Sequence, residues 1–326
     1  MCKSKILTIS LIIFYLSALV SCSNGNSIND RLTTRISNRG NFLLTETPDD
    51  SLVRTTSILD IDDWTMDSTG ILCCSYGTDM AFYRLNTNTM CLVDSFGARG
   101  VGPEEFSLPG IVRSSKKRTL LIDGNKDELI LIEDGKKHSL KHKKQHRFYN
   151  SPIEIDYPLV AFYQLTPDWR SFNIIDFASG ELTDSLYLYQ KDQENENIKL
   201  DFRIDGNKHH AVLGRVYVDE IMILDLDKGK ISRINMLEGN GIADNKNTYT
   251  IDVQCGADAF YILTNKYKTE IGDKEGCIES FDYDGNPIKK IMLKFRPKRI
   301  LLDEMNHRII AQDAEEDGIF HVIPNK

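Results

Sequence analysis

The sequence predicts an all-β protein folded as a six-bladed β-propeller, and three observations carry that prediction. Short runs rich in Ile, Val, Leu, Phe and Tyr alternate with clusters of Asp, Asn and Gly, and no stretch keeps a 3.6-residue apolar period for three turns. Hairpin-like turns recur at a nearly constant interval. The final unit lacks one strand, which an N-terminal segment can supply.

The turns fix the repeat. Residues 83–93, 130–137, 174–182, 223–231 and 280–288 each read as a strand that runs into Asp, Asn or Gly and resumes at once as a second strand. Those residue types tolerate the positive φ that a tight hairpin demands. The turns start near residues 86, 134, 178, 227 and 284, in steps of 48, 44, 49 and 57 residues. A period of ~40 to 50 residues in an all-β chain is that of a four-stranded propeller blade. A sandwich has many short strands too, but no reason to repeat at this interval.

After the fifth turn come three strands, at 299–303, 308–311 and 319–323, where a blade has four. The segment Asn41 to Glu46 is expected to add the fourth and close the ring, covering an edge that would otherwise stay open. Six blades follow.

The chain begins with Lys3 and Lys5 and then an apolar run, Ile6 to Val20, in which only Thr8, Ser10 and Ser17 are clearly polar. This is the layout of a secretory signal. The run is shorter than the roughly 20 residues a membrane-crossing helix needs, and polar Ser23 to Ser27 follow it, which disfavours a permanent span. Leu19-Val20-Ser21-Cys22 resembles the lipobox of bacterial lipoproteins. The resemblance implies cleavage before Cys22 and acylation of that cysteine. Two or three acyl chains anchor stably, because each buried methylene contributes about 0.8 kcal/mol. The expected layout is a signal peptide at 1–21, a lipidated flexible tether at 22–41 and a propeller at 42–326. Ser, Asn, Thr and Arg dominate the tether, as suits a flexible linker.

A second resemblance lies in the repeats. Residues Phe96 to Pro109, including Gly97, Gly100, Gly102, Pro103, Phe106 and Pro109, resemble the blade-joining loop of NHL-type repeats. Leu120 to Ile132, with its Asp123-x-Asn125 turn, resembles the strand, turn and strand that follow. Ile300 to Asp313 looks like a second, partial copy. With the lipobox, the chain is similar to the six-bladed, TolB-like propeller lipoproteins common in Bacteroidetes, although Glu104 stands where many such loops have glycine. That resemblance implies a fold and a location at the cell envelope, and no activity. Surface export in that group is thought to follow acidic residues just after the lipid cysteine. Ser23 to Asn29 carry no charge, so the outer membrane facing the periplasm is expected over surface exposure.

The loop also reads physically. Its glycines permit backbone angles closed to other residues, Pro103 stiffens the crossing, and Phe106 can plug the gap between blades. A phosphate cradle would need a lysine-hydroxyl ending and a following helix, and neither is present.

Composition narrows the partners. The mature chain has 326 − 21 = 305 residues, and loss of Lys3 and Lys5 takes its formal charge from −8 to −10. That argues against nucleic acid, which needs a basic surface. Of seven cysteines, Cys73, Cys74, Cys91, Cys255 and Cys277 lie beyond Cys22. The only close pair is adjacent and would point to opposite faces of a strand, so no zinc site is expected. They read as core residues with at most one or two disulfides.

Asp60, Asp62 and Asp63 could gather a cation but lack the alternation and central glycine of a calcium loop, and read as a solvated turn. Asp313, Glu315, Glu316 and Asp317 read the same way. Lys136, Lys137, His138, Lys141, His142, Lys143, Lys144, His146 and Arg147 form a basic stretch on an outer strand and loop, open to an acidic glycan or anionic membrane. His209-His210 sits in a strand, with one ring facing out. No nucleophile elbow and no zincin helix appears. No catalytic residue, metal or cofactor is therefore expected. The leading expectation is a binding or scaffolding module for a protein, peptide or glycan. The alternatives are a metal-dependent hydrolase or lyase with carboxylates around the channel, and a small-ligand sensor with an apolar pocket there.

Overall fold

A computed structural model describes residues 32–36, 42, 44–54, 61–114, 118–134, 136–141, 149–156, 158–165, 169–190, 202–235, 249–264 and 275–325. The signal segment, Cys22, Asp60 and 142–148 lie outside them. Three N-terminal strands come first: β1 (Leu32–Ile36), β2 (Leu44–Glu46) and β3 (Ser51–Arg54). Blade one follows with β4 (Asp63–Asp67), β5 (Gly70–Cys74), β6 (Met80–Leu85) and β7 (Leu92–Ala98). Blade two has β8 (Pro109–Ser114), β9 (Arg118–Asp123), β10 (Glu128–Glu133) and β11 (Lys136–Lys141), and blade three β12 (Tyr149–Asp156), β13 (Leu159–Leu165), β14 (Trp169–Asp176) and β15 (Leu182–Gln190). Blade four has β16 (Phe202–Gly206), β17 (His210–Arg215), β18 (Glu220–Asp225) and β19 (Lys230–Asn235). Blade five has β20 (Thr250–Cys255), β21 (Ala259–Thr264), β22 (Gly276–Asp282) and β23 (Pro287–Leu293). Blade six has β24 (Pro297–Asp303), β25 (Arg308–Asp313) and β26 (Ile319–Pro324). Each blade is an antiparallel meander, and the first strands of neighbouring blades touch all round the ring.

Six apolar clusters fill the six gaps between neighbouring blades. Between blades one and two, for example, Leu72, Cys74, Phe82 and Phe106 meet Ile111, Leu121 and Ile130. Side chains alternate across a strand, so Cys73 faces blade six while Cys74 faces blade two. Both faces of the middle strands are thus buried, and β5 reads as an unbroken apolar run rather than an alternating one.

The five turns of the repeat are the same element in successive blades, the hairpin joining third and fourth strands. Among the described residues each holds one with positive φ: Met90, Asp134, Gly180, Gly229 and Gly285. Met90 departs from the expected residue types. Left-handed backbone costs a side-chain-bearing residue about 1–2 kcal/mol, and here the fully buried Met90 side chain packs in the cluster between blades one and six.

The ring closes with a different segment from the one expected. β3 pairs antiparallel with β26 as the fourth strand of blade six, whereas β2 lies parallel to β23 as a fifth strand on blade five. The apolar character that marked 41–46 has another use: Phe42 packs edge-on against Phe281 at 5.5 Å. The closing strand needs only Val53 inward, with Leu52 exposed. β1, within the stretch read as tether, is a further strand, parallel to β19 on blade four. The closure is latched by His321, whose Nδ1 meets Asp50 and whose Nε2 lies 2.9 Å from Asp313, with Phe295 stacked on the ring. The two NHL-like segments also occupy different places, since 120–132 joins second and third strands and 300–313 joins first and second. Among the described residues, the five cysteines from Cys73 to Cys277 form no disulfide.

Truncating Phe82 to Ala, in the gap between blades one and two, is expected to lower the unfolding free energy by about 3–5 kcal/mol. Leu52→Ala on the closing strand should change it by no more than about 0.5 kcal/mol. Urea titration of both variants checks the contrast.

Candidate functional site

A blade's innermost strand has a neighbour on one side only, so the backbone groups on its other edge must find side chains or water. Three aspartates meet this need in one pattern. Asp63 Oδ2 accepts the Ile111 N–H at 3.0 Å, Asp205 Oδ2 the Cys255 N–H at 2.7 Å, and Asp252 Oδ2 the Ile300 N–H at 2.9 Å. Each joins an inner strand to the next blade's, 48, 50 and 48 residues on. Carbonyls on the same edge are met likewise: Trp64 Nε1 donates to Ile300 O at 3.1 Å, and Arg203 Nε to Ile251 O at 3.0 Å.

Arg299 on β24 sits between two of these aspartates. Its Nη1 lies 3.2 Å from Asp63 Oδ1, and Asp252 attracts it from the other side. Burial pushes both carboxyls above the usual carboxylate range, and Arg299 with the backbone N–H bonds offsets this only in part. Burial also opposes the charge on Arg299, but Asp252 and Asp63 outweigh it and raise its pKa.

These side chains line a polar cavity of about 230 Å³ along the ring axis, with Asp205, Gln254, Cys255 and Glu304 at its far end. A second cavity of about 210 Å³ shares Asp63, Ile111 and Arg299 with it and opens between blades one, two and six. Asp62, Tyr76, Leu108 and Pro109 form this mouth. Asp62 Oδ2 accepts the Tyr76 N–H at 2.5 Å, and Tyr76 is 45% exposed, with the Arg99 guanidinium over its ring at 5.7 Å. Burial, with Cys74, Asp63 and Asp62 nearby, pushes the Tyr76 phenol up to about 12.

The blade-joining loop leads to this mouth. Gly97 has φ +74°, and a Cβ there would lie 3.0 Å from the Phe106 ring. Phe106 is buried edge-on against Phe82, with centroids 4.9 Å apart. Gly100 N–H donates to Phe106 O, and Gly102 N–H to Glu105 Oε2 at 2.7 Å. Pro103 is exposed, as is Glu104, whose carboxylate meets Lys137 at 3.2 Å. The fully buried Asp123 accepts the N–H groups of Ser107 at 2.9 Å and Leu108 at 3.2 Å, which sets Pro109 at the start of β8.

Other sequence candidates fall elsewhere. Asp62 and Asp63 are not a solvated turn but part of the channel and its mouth, because the first strand of a blade carries them inward. Asp313 bonds His321 and caps the turn through the N–H groups of Glu315 and Glu316, while Glu315, Glu316 and Asp317 are exposed. Lys136, Lys137 and His138 are exposed on β11, which ends at Lys141; the remainder of the basic stretch lies outside the described residues. His209 reaches Asp227 at 2.8 Å, and His210 stacks on Tyr283 at 4.1 Å. Among the described residues, no group of three or more His, Cys, Asp or Glu is placed to hold a metal ion. Sequence reasoning missed Arg203, Asp205, Asp252 and Arg299. The 47 residues separating Asp205 from Asp252 match the turn period, and aligning the inner strands on that period could have found both.

A closed ring of six blades, each a four-stranded antiparallel meander, around a polar channel defines this chain as a six-bladed β-propeller. No family model and no curated protein matches it. Solved structures of similar fold include a DUF4221-family protein of Bacteroides vulgatus, with 12% identity and a TM-score of 0.57 over 86% of this chain and 99% of that one. A Bacteroides fragilis protein provisionally named as exported has 12% identity and a TM-score of 0.57 over 90% of this chain and 100% of its own. The calcium-binding protein regucalcin from Agrobacterium tumefaciens has 11% identity and a TM-score of 0.52 over 86% and 95%. At these identities the likeness is one of fold.

Asp63 carries a folded-state pKa above its unfolded value of about 4. Its contribution to stability is therefore fully present below the unfolded pKa and lost as pH rises through the folded one. Asp63→Asn keeps an oxygen for the Ile111 N–H but cannot titrate. On going from about pH 7 to about pH 5, the variant should gain less unfolding free energy in urea, relative to wild type. Identical pH dependence in the two proteins would contradict the assignment.

Proposed function

We propose that this protein is an envelope-anchored lipoprotein whose propeller binds a protein, peptide or glycan on one face. The observation that carries the reading is the asymmetry of the two faces. On the face where the inner strands end, consecutive strands are joined by short turns such as 68–69, 207–209 and 256–258. The longest connection among the described residues, 99–108, lies on the face where the inner strands begin. The channel mouth at Asp62, Tyr76 and Pro109 opens there. Rigid scaffolds present binding groups in this way, on loops held by packed strands.

Membrane attachment is supported by the apolar run before Cys22 and the lipobox-like residues 19–22. The provisional name of the similar Bacteroides fragilis structure fits an envelope location, and the NHL-like loop at 96–109 fits the TolB-like lipoprotein group. A metal-dependent hydrolase or lyase in the channel would need three or four ligands converging on one point. The channel carboxylates are instead spread along the axis and already accept backbone N–H groups, Asp63 and Asp252 with both oxygens, and Asp205 and Glu304, the latter from Ala257, with one.

Cys22→Ser is expected to abolish incorporation of a radiolabelled fatty acid and to move the protein from the membrane to the soluble fraction. Unchanged labelling would refute the anchor. Pull-down of the full-length protein from envelope extract should retain a specific partner that is lost when the mouth is blocked by Pro109→Trp.

A further inference from the structure

We propose that the mouth between blades one, two and six binds an alkylammonium or guanidinium group, with Asp62 as its counter-charge and the Tyr76 ring as its wall. This rests on the reading of the propeller as a binding module and names the chemistry of what it takes.

The sign of the ligand follows from the lining. The two connected cavities hold five carboxylates, Asp62, Asp63, Asp205, Asp252 and Glu304, against two guanidinium groups, Arg203 and Arg299. Both arginines are already engaged, Arg203 with Ile251 O and Arg299 with Asp63. An entering anion would meet Arg203 and Arg299 in a lining that holds five carboxylates. A cation meets surplus negative charge, focused by low-dielectric walls.

Shape and partners then select an organic cation. Asp62 spends one oxygen on the Tyr76 N–H, and its other oxygen has no partner among the described residues. Asp62 is not one of the blade-joining carboxylates, so its charge is free for a ligand. Tyr76 lines the cavity and already lies under one guanidinium, that of Arg99, which is outside the cavity lining. Leu108, Pro109 and Ile122 supply apolar contact for a methylene stem. A volume of about 210 Å³ is smaller than the ~300–1,000 Å³ of pockets for drug-sized ligands, and suits one side chain or a short amine.

Two sources share this chemistry, a basic side chain of a peptide and a free polyamine, and calorimetry of the full-length protein separates them. The probes are the N-acetylated, C-amidated peptides Gly-Lys-Gly, Gly-Arg-Gly and Gly-Glu-Gly, with spermidine. The cationic probes should bind and Gly-Glu-Gly should not. Asp62→Asn, which keeps an acceptor for the Tyr76 N–H, should weaken binding about tenfold, the loss expected of one close charge pair. Tyr76→Ala should weaken it and Tyr76→Phe should not, while Glu315→Gln, exposed on the same face outside the cavity, should have no effect. Tighter binding of the tripeptides than of spermidine assigns the site to peptide, and the reverse to polyamine. Binding of Gly-Glu-Gly at equal strength, or cation binding indifferent to Asp62→Asn in a variant with wild-type melting, overturns the proposal. A partner retained by pull-down while every cationic probe fails would leave the binding module standing and this inference refuted.

Discussion

The inner strand of each blade is half-paired, and satisfying its free edge is the constraint on which the rest of the molecule depends. A propeller removes most open edges by closing into a ring, but it creates a new set facing the channel. Here Asp63, Asp205 and Asp252 answer by reaching to the next blade's inner strand, so that the same bond that satisfies a backbone N–H also ties two blades together. Ile300 shows the economy of the device, with its N–H held by blade five through Asp252 and its carbonyl by blade one through Trp64. Apolar clusters supply the bulk of the adhesion between blades, and the polar bonds set the register.

That solution has an electrostatic consequence. Carboxylates recruited for structure end up along the axis of the ring, where burial raises the pKa of Asp63 and Asp252 and Arg203 and Arg299 are the guanidinium groups in the lining. The channel is therefore acidic before any function is asked of it. Asp62 stands apart, because its bond goes to a turn in its own blade and one oxygen is left over at the mouth. The difference between Asp62 and Asp63, neighbours in sequence, is the difference between a group available to a ligand and one that holds the ring.

The period was legible because blades one to five repeat one hairpin, between third and fourth strands, and a left-handed residue sits in each. The blade count was legible for the same reason. The closing strand was not, since an outer edge needs only one inward apolar side chain: Ser51-Leu52-Val53-Arg54 carries a weak signal, and the stronger one at Phe42 belongs to blade five. The channel was illegible in a different sense. Its residues are scattered over distant strands of several blades, and an isolated Asp-Trp or Asp-Val says nothing until the blades are superposed. Asp62 and Asp63 thus read as a solvated turn, although a buried Trp64 beside them was a hint that the segment runs inward.

Amide hydrogen exchange resolved at Ile111, Cys255 and Ile300 tests most directly whether aspartates bind the blades together. In Asp63→Ala, exchange at Ile111 should accelerate to the rate of an unbonded amide while Cys255 and Ile300 stay protected as in wild type. Unchanged protection of Ile111 in that variant would contradict the account.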